Sequence, residues 1–278
     1  MARRAAVSGL LGVVRLVHPA PAAAVVTLSA ALAVILAEQA GSTAGWRVVL
    51  TVLAVAGSQV LTGALNDWAD RSRDARAQPS KPIPAGTVSP RAALTVAAVG
   101  LGVQMVASVP LGSLALALGL AASVSAVAYN LWLSRTPFSV VPYLVSFGLL
   151  PLWIAAGVGV SLERVALAPL LVGPFAAAAH LANTLRDFDA DAALGSRNLA
   201  QQLGRSLALP LAWALAMAVG LTVGGAFVLS GGAEVSVLLL GVVGLLAVGQ
   251  GVAGPQRLWI GMLIAAVAWT TAWGFASG

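Results

Sequence analysis

The chain has no cysteine among its 278 residues. Disulfide bonds, thiolate metal ligands and a thiol nucleophile are therefore absent, which excludes several classes of enzyme. Charged residues are also scarce, at 9% of the chain, whereas hydrophobic residues make up 59%. Soluble domains have about 25% charged residues. The composition therefore indicates a membrane protein whose chemistry relies on oxygen and nitrogen groups.

Nine stretches without Asp, Glu, Lys or Arg are each close to the roughly 20 apolar residues that a helix needs to cross a bilayer. They cover residues 19–37, 48–65, 92–109, 112–131, 137–157, 165–183, 207–230, 235–253 and 258–276. We interpret the first as a retained helix, because Glu38 rather than a small-residue cleavage site follows it. The sequence thus predicts an all-α fold, in which residues 1–278 form one polytopic membrane bundle of nine transmembrane helices.

The basic residues predict how this bundle is oriented. If the N-terminus is cytoplasmic and all nine stretches cross, every Lys and Arg except Arg47 and Arg164 faces the cytoplasm, as the positive-inside rule requires. The net charge of +6 then reflects topology rather than nucleic-acid binding, and we expect no nucleic-acid partner. We expect an integral protein of the bacterial cytoplasmic membrane.

The acidic residues on the predicted cytoplasmic side form two clusters, in the long connections 66–91 and 184–206. In the first cluster, Asp67, Asp70 and Asp74 are spaced at i, i+3 and i+7, which places them on one face of a helix. Carboxylates so close together repel each other unless a cation lies between them. Hard oxygen ligands at the mouth of a cavity are typical of Mg²⁺ sites.

A plainer alternative for the first cluster is a solvated helix end, where the acids pair with Arg71, Arg73 and Arg76. The stretch 79–86 that follows is too rich in proline for a helix, and its turn presents Lys81 as a candidate phosphate ligand.

In the second cluster, His180, Asn183, Asp187 and Asp191 recur every three or four residues. A helix continued to Asp191 would place these four along one stripe and direct Asp189 elsewhere. A lone histidine among alanines is more often a packing residue than an acid or base, and we interpret His180 in this way.

The two clusters and their flanks resemble the two signatures of the UbiA superfamily of intramembrane prenyltransferases. NDWADRSRDARAQPSKPIPAG, residues 66–86, is similar to the first signature, although the family more often has Arg where Lys81 stands. NTLRDFDADAALGSRNLAQQLG, residues 183–204, is similar to the second, with matches at Asp187, Asp191, Gly195, Leu199 and Gly204. The stretch from Tyr129 to Arg135 resembles the tyrosine and basic residue that family members place near the diphosphate.

This resemblance implies Mg²⁺-dependent transfer of an isoprenyl group from an isoprenyl diphosphate to an aromatic or lipid-like acceptor, at an active site that faces the cytoplasm. The catalytic, metal-binding residues would be Asp67, Asp70, Asp74, Asp187 and Asp191. The diphosphate ligands would be Asn66, Arg73, Lys81, Tyr129, Arg135, Asn183 and Arg186. The partners implied are the two substrates and membrane lipid, and no obligate protein partner is inferred.

Several alternatives stay open. Members of the same superfamily transfer phosphoribose to a polyprenyl phosphate, and the spacing of the acids does not exclude this reaction. A small-molecule or ion transporter is less favoured, because no carboxylate lies in the middle of a predicted span. Tyr129 could equally be an interfacial anchor, and we interpret His18 as a surface or interface residue. The acceptor, the isoprenyl chain length, the pathway and the oligomeric state are left open.

Overall fold

The computed structural model describes residues 2–229 and 234–276, without the side chains of residues 2–8. All regular structure in these ranges is helical. The α-helices are α1 (Ala2–Leu16), α2 (Pro19–Gln39), α3 (Gly45–Ala77), α4 (Pro90–Ser108), α5 (Ser113–Leu131), α6 (Val141–Val158), α7 (Pro169–Arg186), α8 (Phe188–Ala193), α9 (Leu199–Leu229), α10 (Val235–Gly249) and α11 (Pro255–Ala276). Residue 230, at the end of the seventh predicted span, lies outside the described residues.

Each of the nine predicted spans coincides with one helix, from α2 to α7 and from α9 to α11. The prediction of an all-α membrane bundle is confirmed. In the described part of the chain, eight helices are long and apolar enough to cross a membrane. Of the nine helices that coincide with predicted spans, α7 is not among these eight. Its 18 residues include the polar residues His180, Asn183 and Arg186. The count of nine spans and the cytoplasmic N-terminus therefore stay predictions.

Helix α1 precedes the first predicted span, and the sequence analysis did not foresee it. Its residue Leu16 is fully buried in a cluster with Leu61 of α3 and Ala93 of α4. In contrast, Leu10 and Leu11 are exposed. A helix with one apolar face outside the protein core and arginines along its length is typical of helices that lie in a membrane surface.

Helix α3 positions the first acidic cluster, because its 33 residues exceed the length needed to cross the hydrocarbon core. Its last turns therefore continue past the span and carry the three aspartates. Close packing on α4 holds α3 in place. An added Cβ on Gly100 of α4 would lie 2.5 Å from the Leu61 backbone nitrogen of α3, so this contact requires glycine. Small residues at such contacts let membrane helices approach closely.

We expect Gly100→Ala to lower the stability of the bundle by roughly 1–3 kcal/mol, the usual cost of overpacking. Gly102 is a matched control on the same helix, since an added Cβ there meets no atom within 4 Å. Thermal unfolding in detergent, followed by tryptophan fluorescence, measures the difference. Equal melting temperatures for Gly100→Ala and Gly102→Ala would contradict the close contact between α3 and α4.

Candidate active site

Lys81 joins two of the three acids of the first cluster. Its Nζ lies 3.0 Å from Asp67 Oδ1 and 2.9 Å from Asp74 Oδ2. Asp67 is only 1% exposed and Asp74 only 6% exposed. An ammonium group between two buried carboxylates offsets their mutual repulsion. Burial lowers the pKa of Lys81, but the two carboxylates outweigh this effect and hold its pKa above the ordinary value.

The arginines near the end of α3 do not neutralise the first cluster. Arg71 stacks on the Trp68 ring at 4.5 Å and donates a hydrogen bond to the Trp68 carbonyl oxygen. Arg73 pairs with Asp191 of the second cluster instead, at 3.2 Å between Nη2 and Oδ1. These contacts do not support the alternative of a solvated helix end whose acids pair with neighbouring arginines.

The second cluster lies at a helix break. Helix α7 ends at Arg186, and Asp187 has a non-helical backbone, with φ −102° and ψ 17°. The prediction of one helix continued to Asp191 is therefore wrong. Residue spacing indicates which side chains would share one face of a continuous helix. It does not indicate that the helix is interrupted at a single residue, here Asp187. The Asp191 N–H still donates to the Asp187 carbonyl oxygen at 2.8 Å, so the two residues stay adjacent.

Cations hold the two clusters together. Besides its ion pair with Asp191, Arg73 donates a hydrogen bond to the Leu194 carbonyl oxygen at 3.4 Å. Arg135, in the short turn after α5, pairs with Asp70 at 2.7 Å. Burial raises the pKa of Asp191, and Arg73 only partly offsets this rise. The sequence places these groups far apart, but the fold brings them to one end of the bundle.

These groups surround a polar cavity of about 320 Å³. Its lining comprises Asp70, Arg73, Asp74, Ala77, Gln78, Lys81, Tyr129, Ser134, Arg135, Thr184, Asp187, Ala190, Asp191, Leu194, Ser196 and Asn198. Both acidic clusters and most of the predicted basic ligands thus face the same space. We call this space the diphosphate cavity, after the ligand that the sequence analysis predicts for these residues.

Four of the residues predicted for the site do not line the diphosphate cavity. Asp67 lies behind Lys81. Asn66 donates to Asn130 Oδ1 at 3.2 Å and so joins α3 to α5. Arg186 donates to Asn183 Oδ1 at 3.3 Å and lies over the Trp259 ring. The structure therefore gives no support to Asn66, Asn183 and Arg186 as direct diphosphate ligands.

Sequence reasoning missed Asn198, which is 2% exposed. Its Nδ2 donates to Asp191 Oδ2 at 3.2 Å, and its Oδ1 accepts the Gln201 N–H at 3.0 Å. The second contact is an N-terminal cap of α9. The pattern Asn-x-x-Gln before an apolar run is a signal of such a cap, so the helix start was detectable, but the contact with Asp191 was not.

Sequence reasoning also missed the contact between Asp67 and His18, which we interpreted as a surface or interface residue. Its Nε2 lies 3.0 Å from Asp67 Oδ1, although its side chain is 36% exposed. Its backbone is left-handed, with φ 52°, a conformation that costs non-glycine residues energy. A residue before proline favours extended backbone, so nothing in the sequence indicated this placement.

A cluster of ring side chains, formed by Tyr129, Tyr143 and His180, adjoins the diphosphate cavity. Tyr129 lines the cavity and makes an edge contact with the His180 ring at 5.5 Å between centroids. His180 is 2% exposed and stacks on Tyr143 at 4.3 Å. These ring contacts are those of a packing residue, although both ring nitrogens of His180 are buried without a hydrogen-bond partner in the described part of the chain.

The donor set suits a hard cation that binds together with a ligand. Within the described residues, no group of three or more His, Asp or Glu side chains is arranged to hold a metal ion by itself. Mg²⁺ often takes only one or two carboxylates and completes its shell with water and phosphate oxygens. The acids that line the cavity provide such carboxylates, and Asp67 Oδ2 is buried without a hydrogen-bond partner.

We expect Arg73→Cys and Leu194→Cys together to form an efficient crosslink with a short bis-maleimide, because the Arg73 side chain reaches the Leu194 carbonyl oxygen. The chain has no other cysteine, so the reaction is specific. After cleavage at a protease site inserted in the connection 159–168, crosslinked fragments should migrate together on a denaturing gel. Arg73→Cys paired with Glu234→Cys is the control, because position 234 is on the second fragment and lies beyond the far end of α9. Equal crosslinking of both pairs would contradict the convergence of the clusters.

Comparison with solved structures agrees with the fold. A structure of a digeranylgeranylglyceryl phosphate synthase in membranes superposes with a TM-score of 0.73 at 16% identity, over 95% of this chain and 98% of that chain. A UbiA homologue from Aeropyrum pernix K1 gives 0.71 at 20% identity, over 90% and 96% of the two chains. A UbiA homologue from Archaeoglobus fulgidus, bound to GPP and Mg²⁺, gives 0.67 at 15% identity, over 96% and 99%. At such identities the likeness shows the fold alone.

The sequence itself also matches known proteins. It is 34% identical to a digeranylgeranylglyceryl phosphate synthase of Natronomonas pharaonis over 168 residues. The aligned segment covers 59% of this chain and 58% of that protein. The match thus spans less than two thirds of that relative. The model of the UbiA prenyltransferase family matches residues 24–277, nearly the whole chain. The chain therefore belongs to the UbiA prenyltransferase family.

Proposed function

We propose that the protein transfers an isoprenyl group from an isoprenyl diphosphate to a hydrophobic or aromatic acceptor, with Mg²⁺ as cofactor. One observation carries the proposal: acids and cations from both halves of the chain line a single polar cavity at the end of an apolar bundle. An isoprenyl chain suits the apolar interior, and a diphosphate suits the polar end.

The acids of the diphosphate cavity are the proposed metal ligands, namely Asp70, Asp74, Asp187 and Asp191, with Asp67 beside them. Mg²⁺ bound there would neutralise the negative charge that builds on the diphosphate as the allylic C–O bond breaks. Structures of the Archaeoglobus fulgidus homologue with GPP or DMAPP and Mg²⁺ support this role.

The basic residues of the cavity are the proposed diphosphate clamp. Lys81, Arg73 and Arg135 are each within 3.2 Å of a carboxylate, so their charges are already oriented when the substrate arrives. Preorganised charges stabilise a developing anion without further rearrangement. Tyr129 borders the same cavity, where its ring can face the allylic carbon atoms.

The acceptor belongs to one of two chemical classes. The Natronomonas pharaonis relative is a digeranylgeranylglyceryl phosphate synthase, which favours a lipid-like acceptor over an aromatic one. A panel that pairs isoprenyl diphosphates of different lengths with both classes tests this. Phosphoribosyl diphosphate with a polyprenyl phosphate belongs in the same panel, because turnover of that pair alone would replace prenyl transfer by phosphoribosyl transfer. We further propose that the cavity faces the cytoplasm of a bacterial cell.

Asp191→Asn should abolish the Mg²⁺-dependent release of diphosphate, because it removes a carboxylate from the cavity while keeping the side-chain volume. Asp189→Asn is the matched control on the same short helix, since Asp189 is 87% exposed and pairs only with the exposed Arg205. Diphosphate release from a radiolabelled isoprenyl diphosphate is the measurement. Full activity in Asp191→Asn would remove this residue from the mechanism.

Asn198→Ala should raise the Mg²⁺ concentration needed for half-maximal activity by roughly 10–100-fold, the usual effect of losing a group that orients a metal ligand. A positioning role predicts that saturating Mg²⁺ restores most of the activity. Gln202→Ala, at an exposed position in the same first turn of α9, is the control. An unchanged Mg²⁺ dependence in Asn198→Ala would show that the contact with Asp191 has no role in metal binding.

A further inference from the structure

The ring cluster beside the diphosphate cavity has a definite geometry. Tyr143 of α6 stacks on His180 of α7, with 4.3 Å between the ring centroids and 22° between the ring planes. Tyr129 of α5 lies at nearly equal distances from the two stacked rings, 5.2 Å from Tyr143 and 5.5 Å from His180, and its plane is at 89° to both. The stacked pair therefore supports Tyr129 through two edge contacts, which aromatic rings favour.

Of the three rings, only Tyr129 lines the diphosphate cavity. His180 precedes Thr184 by one helical turn of α7, and Thr184 lines the cavity. The acids Asp187 and Asp191 follow at and beyond the end of this helix. The ring cluster thus lies on the membrane side of the cavity. An isoprenyl diphosphate whose phosphates bind at the acids has its allylic carbon atoms on this side, next to Tyr129.

Among the residues that the structure describes, no hydrogen bond orients the His180 ring. Both ring nitrogens are buried without a partner. The Thr184 hydroxyl donates to the His180 carbonyl oxygen at 3.1 Å, but this contact involves the backbone and leaves the imidazole free to turn. Packing alone therefore orients the imidazole, and Tyr129 and Tyr143 supply its ring contacts. The three rings hold one another in place.

The surface that Tyr129 presents to the cavity is rich in π electrons but carries no formal charge. The face of an aromatic ring attracts positive charge. An allyl cation that forms beside the diphosphate reacts with water wherever water reaches it. A ring held against the allylic carbon atoms both stabilises the cation and keeps water from that side. Its orientation therefore affects which nucleophile captures the cation.

We infer that Tyr143 and His180 are positioning residues, which hold the Tyr129 ring against the allylic end of the isoprenyl diphosphate and so limit capture of the allyl cation by water. This inference rests on the proposed function and adds two residues that lie outside both acidic signatures. The allylic C–O bond breaks, and its electron pair leaves with the diphosphate. The cation then forms a bond either to the acceptor or to a water molecule, which yields prenyl alcohol. In both cases one proton passes to water at the polar end of the cavity.

The test measures how the cation divides between the acceptor and water. Purified protein receives a radiolabelled isoprenyl diphosphate, Mg²⁺ and, as acceptor, a prenylglycerol phosphate or a hydroxybenzoate, whichever the wild-type protein prenylates. Chromatography separates the transferred product from prenyl alcohol, and their ratio is the readout. A variant that is only partly folded forms both products more slowly in the same proportion, so the ratio reports the position of Tyr129.

Tyr143→Leu should lower the ratio of transfer to hydrolysis by roughly tenfold, a change of about 1.4 kcal/mol that is within the range of a cation–π contact. Tyr143→Phe keeps the ring and should keep the ratio. Phe175→Leu is the matched control and should also keep it, because the Phe175 ring on α7 contacts Trp269 at 5.5 Å, away from the ring cluster.

His180→Leu should lower the ratio as Tyr143→Leu does. His180→Phe should preserve it, because a phenyl ring keeps both ring contacts although it has no nitrogen. The melting temperature of each variant in detergent shows whether the bundle is intact. If His180→Phe does not fold, the two Tyr143 variants decide the question.

Two results would overturn the inference. The first is an unchanged ratio in Tyr143→Leu. The second is a folded His180→Phe whose ratio falls as far as that of His180→Leu, which would mean that the imidazole nitrogens act on the substrate. Failure of the proposed function gives a different result, in which the wild-type protein releases no diphosphate with either acceptor.

Discussion

Repulsion among carboxylates at the end of an apolar bundle is the constraint on which the site depends. Two unit charges 4 Å apart interact by about 4 kcal/mol in the surroundings typical of a protein surface, and the first cluster alone contains three aspartates. The fold offsets this repulsion by pairing acids of one segment with basic side chains of another. Lys81 lies between Asp67 and Asp74, and Arg73 pairs with the other cluster. The site is therefore a network of ion pairs that joins different segments of the chain.

This network also explains why distant segments of the chain meet where they do. Helix α3 is long enough to carry its acids beyond the membrane span, and the break after α7 lets α8 direct Asp191 to Arg73. Gly195, with φ 73°, follows α8 and turns the chain back, so that Asn198 reaches Asp191. Each of these irregular features contributes one contact to the same cavity.

Much of this was predictable from the sequence. The lengths of the apolar stretches predicted the long helices, because a helix satisfies its backbone hydrogen bonds internally and a lipid environment offers few other solutions. The two acidic signatures predicted most of the residues that line the cavity. The helix break at Asp187 and the placement of His18 were not predictable. Both depend on contacts between segments far apart in the chain, and the left-handed backbone of His18 opposes the local preference of a residue before proline. Asn183 shares the three-to-four-residue spacing of the second cluster, and Arg186 lies next to it in the sequence. Only the tertiary structure decides which face of a helix end meets the cavity.

Lysine at position 81 fits its place between two buried acids. An ammonium group is a compact charge with three donors, whereas a guanidinium group is a planar fork suited to one bidentate partner. Two of the lysine donors reach Asp67 and Asp74, at 3.0 Å and 2.9 Å, and the third stays available for a ligand. An arginine that engaged Asp67 with its fork would leave Asp74 buried without the ion pair that Lys81 provides, which is costly. A single compact charge therefore serves both acids and still faces the diphosphate that the cavity is proposed to hold.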